Sequence, residues 1–197
     1  MKKDWTIYCE KTFNNLRANA HNWGKSKEWD RAITRDFYLG VFDSGNPNFS
    51  GLISENALNN KLNKKKTTND HCYSPQQVGR QVMDQQDIFL ENYTKFKNLF
   101  FYCTRQIVVT QKENDELSYL TQNDENGFRL LCPTHLKYKQ LGIKLYQRPE
   151  GKVRWNSAMP VDCNIIEVLP EHTEYEKKFL VVSDTIITIH QSLILNL

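Results

Sequence analysis

The sequence predicts a single α+β domain over residues 1–197, helix-rich in its N-terminal part and with short strands in its C-terminal half. Three observations favour this class. Apolar residues recur at spacings of three and four in the first hundred residues, as they do on amphipathic helices. Runs of β-branched residues such as 107–110 and 180–189 occur in the second half, and such runs favour strands. No internal repeat or linker divides the chain, so one domain is the simplest account.

Helices are expected along most of the first seventy residues. Apolar residues at helical spacing predict a first helix over 5–23, which Gly24 is placed to end. A second helix is expected over 27–39. The stretch 40–51 is rich in Gly, Asn, Ser and Pro, which predicts a loop. A short helix over 52–68 then ends in a basic run.

The next helix has a strong start signal. Ser74 provides a hydroxyl cap and Pro75 suits the first helical position, so a helix is expected to run from there to about residue 83. A further helix opens near residue 84 or 87 and continues to residue 101. Its aromatic residues recur every three or four positions, so this face is expected to lie in the core.

Short strands and helices are expected to alternate beyond residue 106. A strand at 107–110 leads into a helix at 112–121, with Thr110 as its candidate cap. The segment 136–145 fits a helix or a strand. The apolar end of the chain, 192–197, is expected to pack within the chain or to pair with a second copy as a homodimer. The other expected elements are a turn at 122–127, a strand at 128–132, a turn at 148–152, a brief strand at 153–155, a helix at 171–179 and a strand at 180–189.

Composition excludes several classes of protein. The chain is 39% hydrophobic and 25% charged, which is typical of a globular protein and not of a disordered one. No apolar run approaches the roughly 20 residues that cross a bilayer, so no membrane partner is expected. The N-terminus has no apolar signal-peptide core, which predicts a cytoplasmic protein, in its own cell or in a host. Five cysteines without a Cys-x-x-Cys pair indicate buried thiols.

Positive charge is concentrated in the first third of the chain. Residues 1–70 carry twelve Lys and Arg against eight Asp and Glu, a balance of +4, whereas residues 71–197 carry fourteen against fifteen, a balance of −1. We therefore expect 1–70 to be a basic helical part that meets an anionic partner, and 71–197 to form the catalytic and structural core. The candidates for contacts with nucleic-acid phosphates are Lys64, Lys65, Lys66 and Arg80.

The step Asp70-His71, between the lysine run and a capped helix, is the first candidate for a catalytic site. An imidazole beside a carboxylate suits a general base that activates water, or a metal site. This step resembles the Asp-His of HNH (His-Me finger) nucleases, of the kind that phages carry as free-standing homing or restriction-like endonucleases. The resemblance implies that His71 activates water and that Asp70 helps to hold Mg²⁺ or Mn²⁺, with further ligands supplied downstream by the finger's helix.

A second run extends this resemblance. The segment 98–103 (Asn-Leu-Phe-Phe-Tyr-Cys) is similar to the Asn-Leu-x-x-Leu-Cys run of the same family and begins 27 residues after His71. The resemblance implies that Asn98 takes part in catalysis and contacts the metal ion or its water shell. Gln106 stands where the family has its final His, and Asn114 is a candidate replacement for that ligand.

Other interpretations of the same chain stay open. Asp70-His71 also fits an Asx-type turn before a helix, with a structural histidine. Asp162 followed by Glu176 and Lys178 resembles the Asp…Glu-x-Lys set of PD-(D/E)xK nucleases, in which two carboxylates hold the metal and the lysine polarises the attacking water. That family carries its Glu-x-Lys on a central strand, whereas a helix is expected here.

Two functions are expected from these patterns. The first is a metal-dependent endonuclease that hydrolyses phosphodiester bonds in double-stranded DNA, with His71 as the base and Asp70 and Asn98 at the metal ion. The alternative is a non-enzymatic phage-type adaptor or inhibitor, which binds nucleic acid or a protein through the basic first third. Added Mg²⁺ or Mn²⁺ should raise the thermal stability of the enzyme and should leave that of the binder unchanged.

Overall fold

A mixed sheet with helices on both faces organises the chain. The structure is a computed structural model, and it describes residues 4–124, 127–150, 154–166 and 168–180. The α+β class, the helix-rich N-terminal part and the short strands of the C-terminal half are confirmed. Within the described residues, no helix is long and apolar enough to cross a membrane.

After two initial helices, strands and helices are interspersed along the chain. The helices are α1 (Trp5–Asn19), α2 (Lys27–Asp43), α3 (Glu55–Leu62), α4 (Pro75–Asp84), α5 (Gln86–Phe89), α6 (Tyr93–Cys103), α7 (Gln111–Tyr119), α8 (Lys137–Gln140) and α9 (Pro170–Glu176). The strands are β1 (Leu52–Ser54), β2 (Thr68–His71), β3 (Gln106–Val109), β4 (Thr121–Asp124), β5 (Gly127–Leu130), β6 (Leu145–Gln147) and β7 (Met159–Val161). Single turns of 3-10 helix lie at Ala20–Asn22, Thr134–Leu136, Trp155–Ser157 and Cys163–Ile165.

Five of the described strands form one sheet in the order β2-β3-β1-β6-β7, and β4 and β5 form a separate hairpin. β1 and β3 run parallel, whereas the other neighbours in the larger sheet are antiparallel. In the β2–β3 pair, Asp70 lies opposite Ile107 and His71 lies opposite Gln106. Directly opposite side chains of an antiparallel pair share a face, so Gln106 is the cross-strand neighbour of His71.

Alternate residues of the central strands face two different apolar clusters. On one face, Leu52 of β1 and Ile107 and Val109 of β3 join the main core, to which α1, α2, α4 and α6 contribute. On the other face, Ile53 and Val108 pack with apolar residues of α3. The period of two along each strand therefore produces a sheet that is covered on both sides.

The main core is built around aromatic side chains. Phe13 of α1 and Phe37 of α2 each meet Phe96 of α6 edge-on, with ring centroids 5.1 and 6.0 Å apart. Gly79 lets α4 approach α2 closely, because a Cβ at this position would lie 2.9 Å from the Cβ of Phe37. The aromatic face expected on the helix that ends near residue 101 is thus core, as predicted.

Several predicted elements are confirmed, with shifts at their ends. α1, α4, β3, α7 and α9 lie where the sequence predicts them, and the Thr110 side chain caps α7 by accepting a hydrogen bond from the Glu113 amide. The hydroxyl cap predicted for α4 is wrong, because the Ser74 side chain forms no cap hydrogen bond there. The predicted loop over 40–51 is wrong in its first residues, because α2 continues to Asp43. The long helix predicted up to residue 101 is in fact divided, since the Asn92 side chain accepts from the Lys95 amide and starts α6 afresh.

The short helix predicted over 52–68 is wrong at both ends. Only Glu55–Leu62 is helical, and it is flanked by β1 and β2. β1 has three residues, too few to show a strand period, and it is held between β3 and β6. β2 reads Thr-Asn-Asp-His, which has little strand character. Both strands form by pairing with strands far away in the sequence, so the local sequence carries no signal that predicts them.

The C-terminal half departs further from the sequence-based expectations. A hairpin of β4 and β5 replaces the turn predicted at 122–127, and residue 155 begins a 3-10 turn instead of belonging to a strand. The segment 136–145 combines a short helix with the first residue of β6. The strand predicted up to residue 189 and the apolar end at 192–197, on which the homodimer expectation rests, lie outside the described residues.

One buried carboxylate ties α7 to the centre of the sheet. Glu113 is 5% exposed, and it accepts hydrogen bonds from Ser54 Oγ at 2.6 Å and from Asn56 Nδ2 at 3.0 Å. It also accepts from the amide and hydroxyl of Thr110, at 2.8 and 2.9 Å. Ser54 ends β1 and caps α3 by accepting from the Ala57 amide. The Glu113 carboxylate therefore joins the starts of α3 and α7.

Glu113→Ala should lower the free energy of unfolding by about 2–4 kcal/mol, because the buried Ser54 hydroxyl and the partly buried amide and hydroxyl of Thr110 then lose their charged acceptor. Urea denaturation of parent and variant measures the change. Glu116→Ala is the matched control, since Glu116 on the same helix forms only a 3.8 Å exposed pair with Lys112. The control should keep nearly parental stability, and an equal loss of stability in the two variants would contradict this role of Glu113.

Candidate functional site

An open pocket of about 300 Å³ lies where β2 ends and α4 begins. Its walls come from β2, α2, α7 and the start of α8, so elements distant in the sequence meet there. The fold thus brings Asp70 and His71 into a cavity instead of leaving them on a flat surface. The polar side chains that line the pocket include Asn69, Asp70, His71, Asn114, Ser118 and Lys137, and Tyr38 adds an aromatic wall.

Asp70 is held by two buried groups from α8. Lys137 Nζ lies 2.6 Å from Asp70 Oδ2, and the side chains of the pair are 7% and 12% exposed. The hydroxyl of Tyr138 donates to the same oxygen. Burial, and then the charge of Asp70, raises the pKa of Tyr138 well above its usual range, so the phenol stays protonated. Both contacts are made to Oδ2, so Oδ1 of Asp70 has no hydrogen-bond or ion-pair partner among the described residues.

Lys137 also fixes the backbone at the end of β2. Its ammonium donates to the carbonyl oxygen of His71 at 2.6 Å, in addition to its contact with Asp70. One cation thus holds both residues of the Asp70-His71 step. A buried lysine of this kind is costly to desolvate, and the charge of Asp70 offsets that cost.

His71 is held in one orientation and one tautomer. Its Nδ1 lies 2.9 Å from the carbonyl oxygen of Cys103, which can only accept, so Nδ1 carries the proton. Its Nε2 then accepts from Gln106 Nε2 at 3.1 Å. Burial lowers the pKa of His71 below its ordinary 6.5, and the nearby Lys137 ammonium acts in the same direction, against the Cys103 hydrogen bond and Asp70. The imidazole is therefore neutral at physiological pH, with its basic lone pair on Nε2.

Helix α7 brings a second amide to the same pocket. Asn114 is one residue beyond the capping box of Thr110 and Glu113, so the Glu113 contacts also set the position of Asn114. Ser118 follows four residues later on the same helix face and lines the pocket as well. Thr110, the candidate cap directly after a predicted strand, was the sequence signal for this helix. Lys137 and Tyr38 had no such signal.

Asn98 is not brought to this pocket. It lies exposed on α6 and lines a different cavity of about 310 Å³, together with Lys95, Leu99 and His172. The carbonyl of Cys103, at the end of the same helix, is the part of the segment 98–103 that contacts His71.

The basic residues predicted to contact phosphates separate into two groups. Lys64, Lys65 and Lys66 are exposed in the turn between α3 and β2, the strand that carries Asp70-His71. Arg80 lies on α4 with its guanidinium 5.5 Å from the centre of the Trp23 ring, and it does not line the pocket. Of these basic residues, only the lysine run lies next in the chain to β2, the strand that carries Asp70 and His71 into the pocket.

The competing nuclease pattern is not assembled. Glu176 is fully buried on α9, where both of its carboxylate oxygens accept from the Thr134 amide at 3.2 Å, and His172 Nε2 lies 3.2 Å from it. Asp162 is exposed and caps a 3-10 turn by accepting from the Asn164 amide. Glu176 therefore lies on a helix and points into the core, whereas the pattern needs it on a strand at a metal site.

The expected buried thiols are largely confirmed. Four of the five cysteines are buried and Cys163 is partly exposed. Burial raises the pKa of Cys72 to about 12, and that of Cys132 to about 12 as well, so neither thiol ionises at physiological pH. Among the described residues, no three His, Cys, Asp or Glu side chains are grouped as they would be around a metal ion held by protein alone.

Lys137→Met should lower the free energy of unfolding by about 3–5 kcal/mol, because Asp70 then keeps a nearly buried charge without its cation. In the double variant Lys137→Met/Asp70→Asn, at least about 1 kcal/mol of the summed destabilisation should be recovered. Urea denaturation of the parent, the two single variants and the double variant measures this coupling. Lys139→Met, at an exposed position of α8, is the control, and strictly additive effects would contradict a direct pair.

No family model, curated protein or solved structure matches this chain. The resemblance of Asp70-His71 to the HNH nucleases therefore stays a prediction. What the pocket can do has to be inferred from its own side chains.

Proposed function

We propose that this protein is a metal-dependent endonuclease that hydrolyses phosphodiester bonds in DNA at the pocket beside the end of β2. The observation that carries the proposal is the meeting of Asp70, His71 and Asn114 in one open cavity. A neutral base, a carboxylate and an amide oxygen are the groups that such a hydrolysis needs.

His71 is proposed as the general base. The carbonyl of Cys103 holds Nδ1–H, which leaves the Nε2 lone pair as the proton acceptor. Gln106 donates to that lone pair across the strand pair, and its side chain is only half-buried. An attacking water can take the place of the Gln106 amide with no change in the backbone. The lowered pKa of His71 keeps the base unprotonated at physiological pH.

Asp70 and Asn114 are proposed to hold Mg²⁺ or Mn²⁺. Magnesium sites in nucleic-acid enzymes use one or two carboxylates, and substrate phosphates and waters complete the coordination shell. Oδ1 of Asp70 and the amide oxygen of Asn114 fit that demand, whereas Oδ2 of Asp70 is taken by Lys137 and Tyr138. When bound, the ion would neutralise charge on the phosphate and lower the pKa of a bound water.

The order of elements also favours this proposal. β2 and β3 are antiparallel, and α7 follows β3 after one residue, Thr110. The histidine ends the first strand and Asn114 lies on the helix, in agreement with a family whose finger helix supplies a downstream ligand. Asn114, the candidate replacement for the family's final His, lines the pocket, whereas Asn98 lines another cavity. The helices α4 to α6 form a long insertion between the two strands.

In the folded protein His71→Ala should lower the rate of metal-dependent DNA cleavage by at least about 100-fold, with DNA binding nearly unchanged, because a general base contributes about 10²–10⁴. Asn114→Ala should lower the rate at least about 10-fold and weaken the response to Mg²⁺ or Mn²⁺. Asn98→Ala is the matched control, since Asn98 is exposed and outside the pocket. Cleavage of DNA in Mg²⁺, Mn²⁺ and EDTA gives the rates. A His71→Ala protein that cuts like the parent would refute this mechanism.

Double-stranded DNA is proposed to reach the pocket over the lysine run. Lys66 is at most about 17 Å along the chain from His71, which corresponds to about five base pairs of duplex. The exposed lysines at 64–66 can therefore contact phosphates while the scissile bond lies in the pocket. Contacts of this kind give affinity without sequence selectivity.

Charge reversal at Lys64, Lys65 and Lys66 should weaken duplex binding and flatten its dependence on salt, by about 0.9 in the logarithmic slope for each phosphate that the protein no longer neutralises. Titrations at several salt concentrations measure the slope. Reversal at Lys177 and Lys178, which are exposed beyond α9, is the control and should leave the slope nearly unchanged. Equal slopes for the three proteins would rule out binding of DNA by the lysine run.

A non-enzymatic binding protein is the second candidate. One observation favours it: Asp70 already has a cation, and both ring nitrogens of His71 already have partners. Such a satisfied network also suits a structural strand end. In that case Mg²⁺ and Mn²⁺ would not change the thermal stability of the protein, and no DNA would be cut.

A further inference from the structure

One face of α2 carries arginines and aromatic rings in line. Arg31, Arg35, Tyr38 and Phe42 follow one another at spacings of four, three and four residues, so they form a single stripe along the helix. We call these four residues the α2 stripe. The buried residues of the helix, Ile33, Phe37 and Val41, lie on another face. The stripe therefore points away from the core.

The aromatic end of the α2 stripe is open to solvent. The rings of Tyr38 and Phe42 are nearly parallel, with an interplanar angle of 19° and centroids 6.1 Å apart. Phe42 is 59% exposed, which leaves a large apolar ring in water. Rings arranged in this way offer a flat surface on which another planar group can stack.

The α2 stripe also continues into the pocket. Tyr38 lines the same cavity as Asp70, His71 and Lys137. Arg31 and Arg35 are exposed on the side of Tyr38 away from Phe42 in the chain. Asp36 and Asp43 lie about 100° or more from the stripe around the helix axis, whereas Glu28, three residues before Arg31, lies beside its N-terminal end. The four stripe residues themselves carry the two positive charges of Arg31 and Arg35.

We propose that the α2 stripe binds an unpaired DNA strand and leads it to the pocket, which makes DNA with single-stranded segments the preferred substrate. This proposal rests on the proposed nuclease function and narrows its substrate. Arg31 and Arg35 would contact phosphates, and the Tyr38–Phe42 pair would stack on an unpaired base. In a duplex the bases are stacked on one another, so their faces cannot reach the exposed ring of Phe42.

The length of the α2 stripe agrees with this ligand. Phe42 lies eleven positions after Arg31 on the helix, a rise of about 16 Å along the axis. A stacked strand advances about 3.4 Å per nucleotide, so the stripe spans four or five nucleotides. That length is within the range of sites that combine aromatic stacking with a basic track.

Binding by the full chain with His71→Ala in EDTA tests the proposal without cleavage. The probes are one oligonucleotide with a single 2-aminopurine, the same strand in a full duplex, and the duplex with a single-stranded flap. The single strand and the flap should bind more tightly than the duplex, and stacking should quench the 2-aminopurine. Phe42→Ala should weaken single-strand binding about 10-fold or more. Trp29→Ala is the control, because Trp29 is 44% exposed on α2 but lies outside the stripe.

Replacement of Arg31 and Arg35 by alanine should flatten the salt dependence of single-strand binding by about 0.7 in slope for each phosphate that is no longer bound. Equal affinity for duplex and single strand, or equal binding by the Phe42→Ala and Trp29→Ala proteins, would overturn the proposal. Parallel cleavage assays with unmodified His71 separate the two ideas. If the protein cuts DNA in a metal-dependent way but the stripe variants bind and cut like the parent, the nuclease proposal stands and the stripe proposal is wrong. If single-strand binding depends on Phe42 but no DNA is cut, the stripe binds DNA and the nuclease proposal is wrong.

Discussion

The ammonium of Lys137 is the contact on which the pocket depends. It lies 2.6 Å from both the Asp70 carboxylate and the His71 carbonyl oxygen, and it is almost completely buried. A polar strand end such as Thr-Asn-Asp-His gains little from burial of apolar surface, so its place in the fold has to come from specific polar partners. Lys137 and Tyr138, at the start of a short helix, supply those partners. The geometry of the pocket is therefore set by residues some 66 positions later in the chain.

A second carboxylate gives the opposite wall of the pocket its position. Glu113 lies in the first turn of α7 and reaches Ser54 at the centre of the sheet, so the helix cannot rotate without breaking these bonds. Asn114 is the next residue on α7, so the same contacts also fix its position. Asp70 is thus held from α8, and Asn114 is held from β1. A side chain placed by rigid neighbours needs little reorganisation when a ligand arrives.

Local patterns predicted much of this fold and only part of the site. Ser74-Pro75 and Thr110 predicted helix starts correctly, because such signals lie within a few residues of the start. The Thr110 hydroxyl accepts from the Glu113 amide, whereas at α4 the start signal is Pro75 and the Ser74 side chain forms no cap hydrogen bond. β1 and β2 were missed since their stability comes from strands elsewhere in the chain. The same limit applies to the site: Asp70-His71 is visible as a neighbouring pair, whereas Lys137 and Tyr38 reach it only through the tertiary fold. A motif resemblance predicted Asn98 as a site residue, whereas the fold places Asn114 in the pocket and Asn98 outside it.

The position of β2 at one edge of the described sheet has a consequence for association between chains. An edge strand exposes unpaired backbone groups, to which a strand of another molecule can add. The edge strand β2 carries the Asp70–Lys137 pair and is packed against α7. The strand at the opposite edge, β7, contains Pro160, which has no N–H to donate. Both edges thus discourage growth of the sheet by addition of further strands. The charges that shape the pocket therefore also protect the protein against aggregation through its sheet.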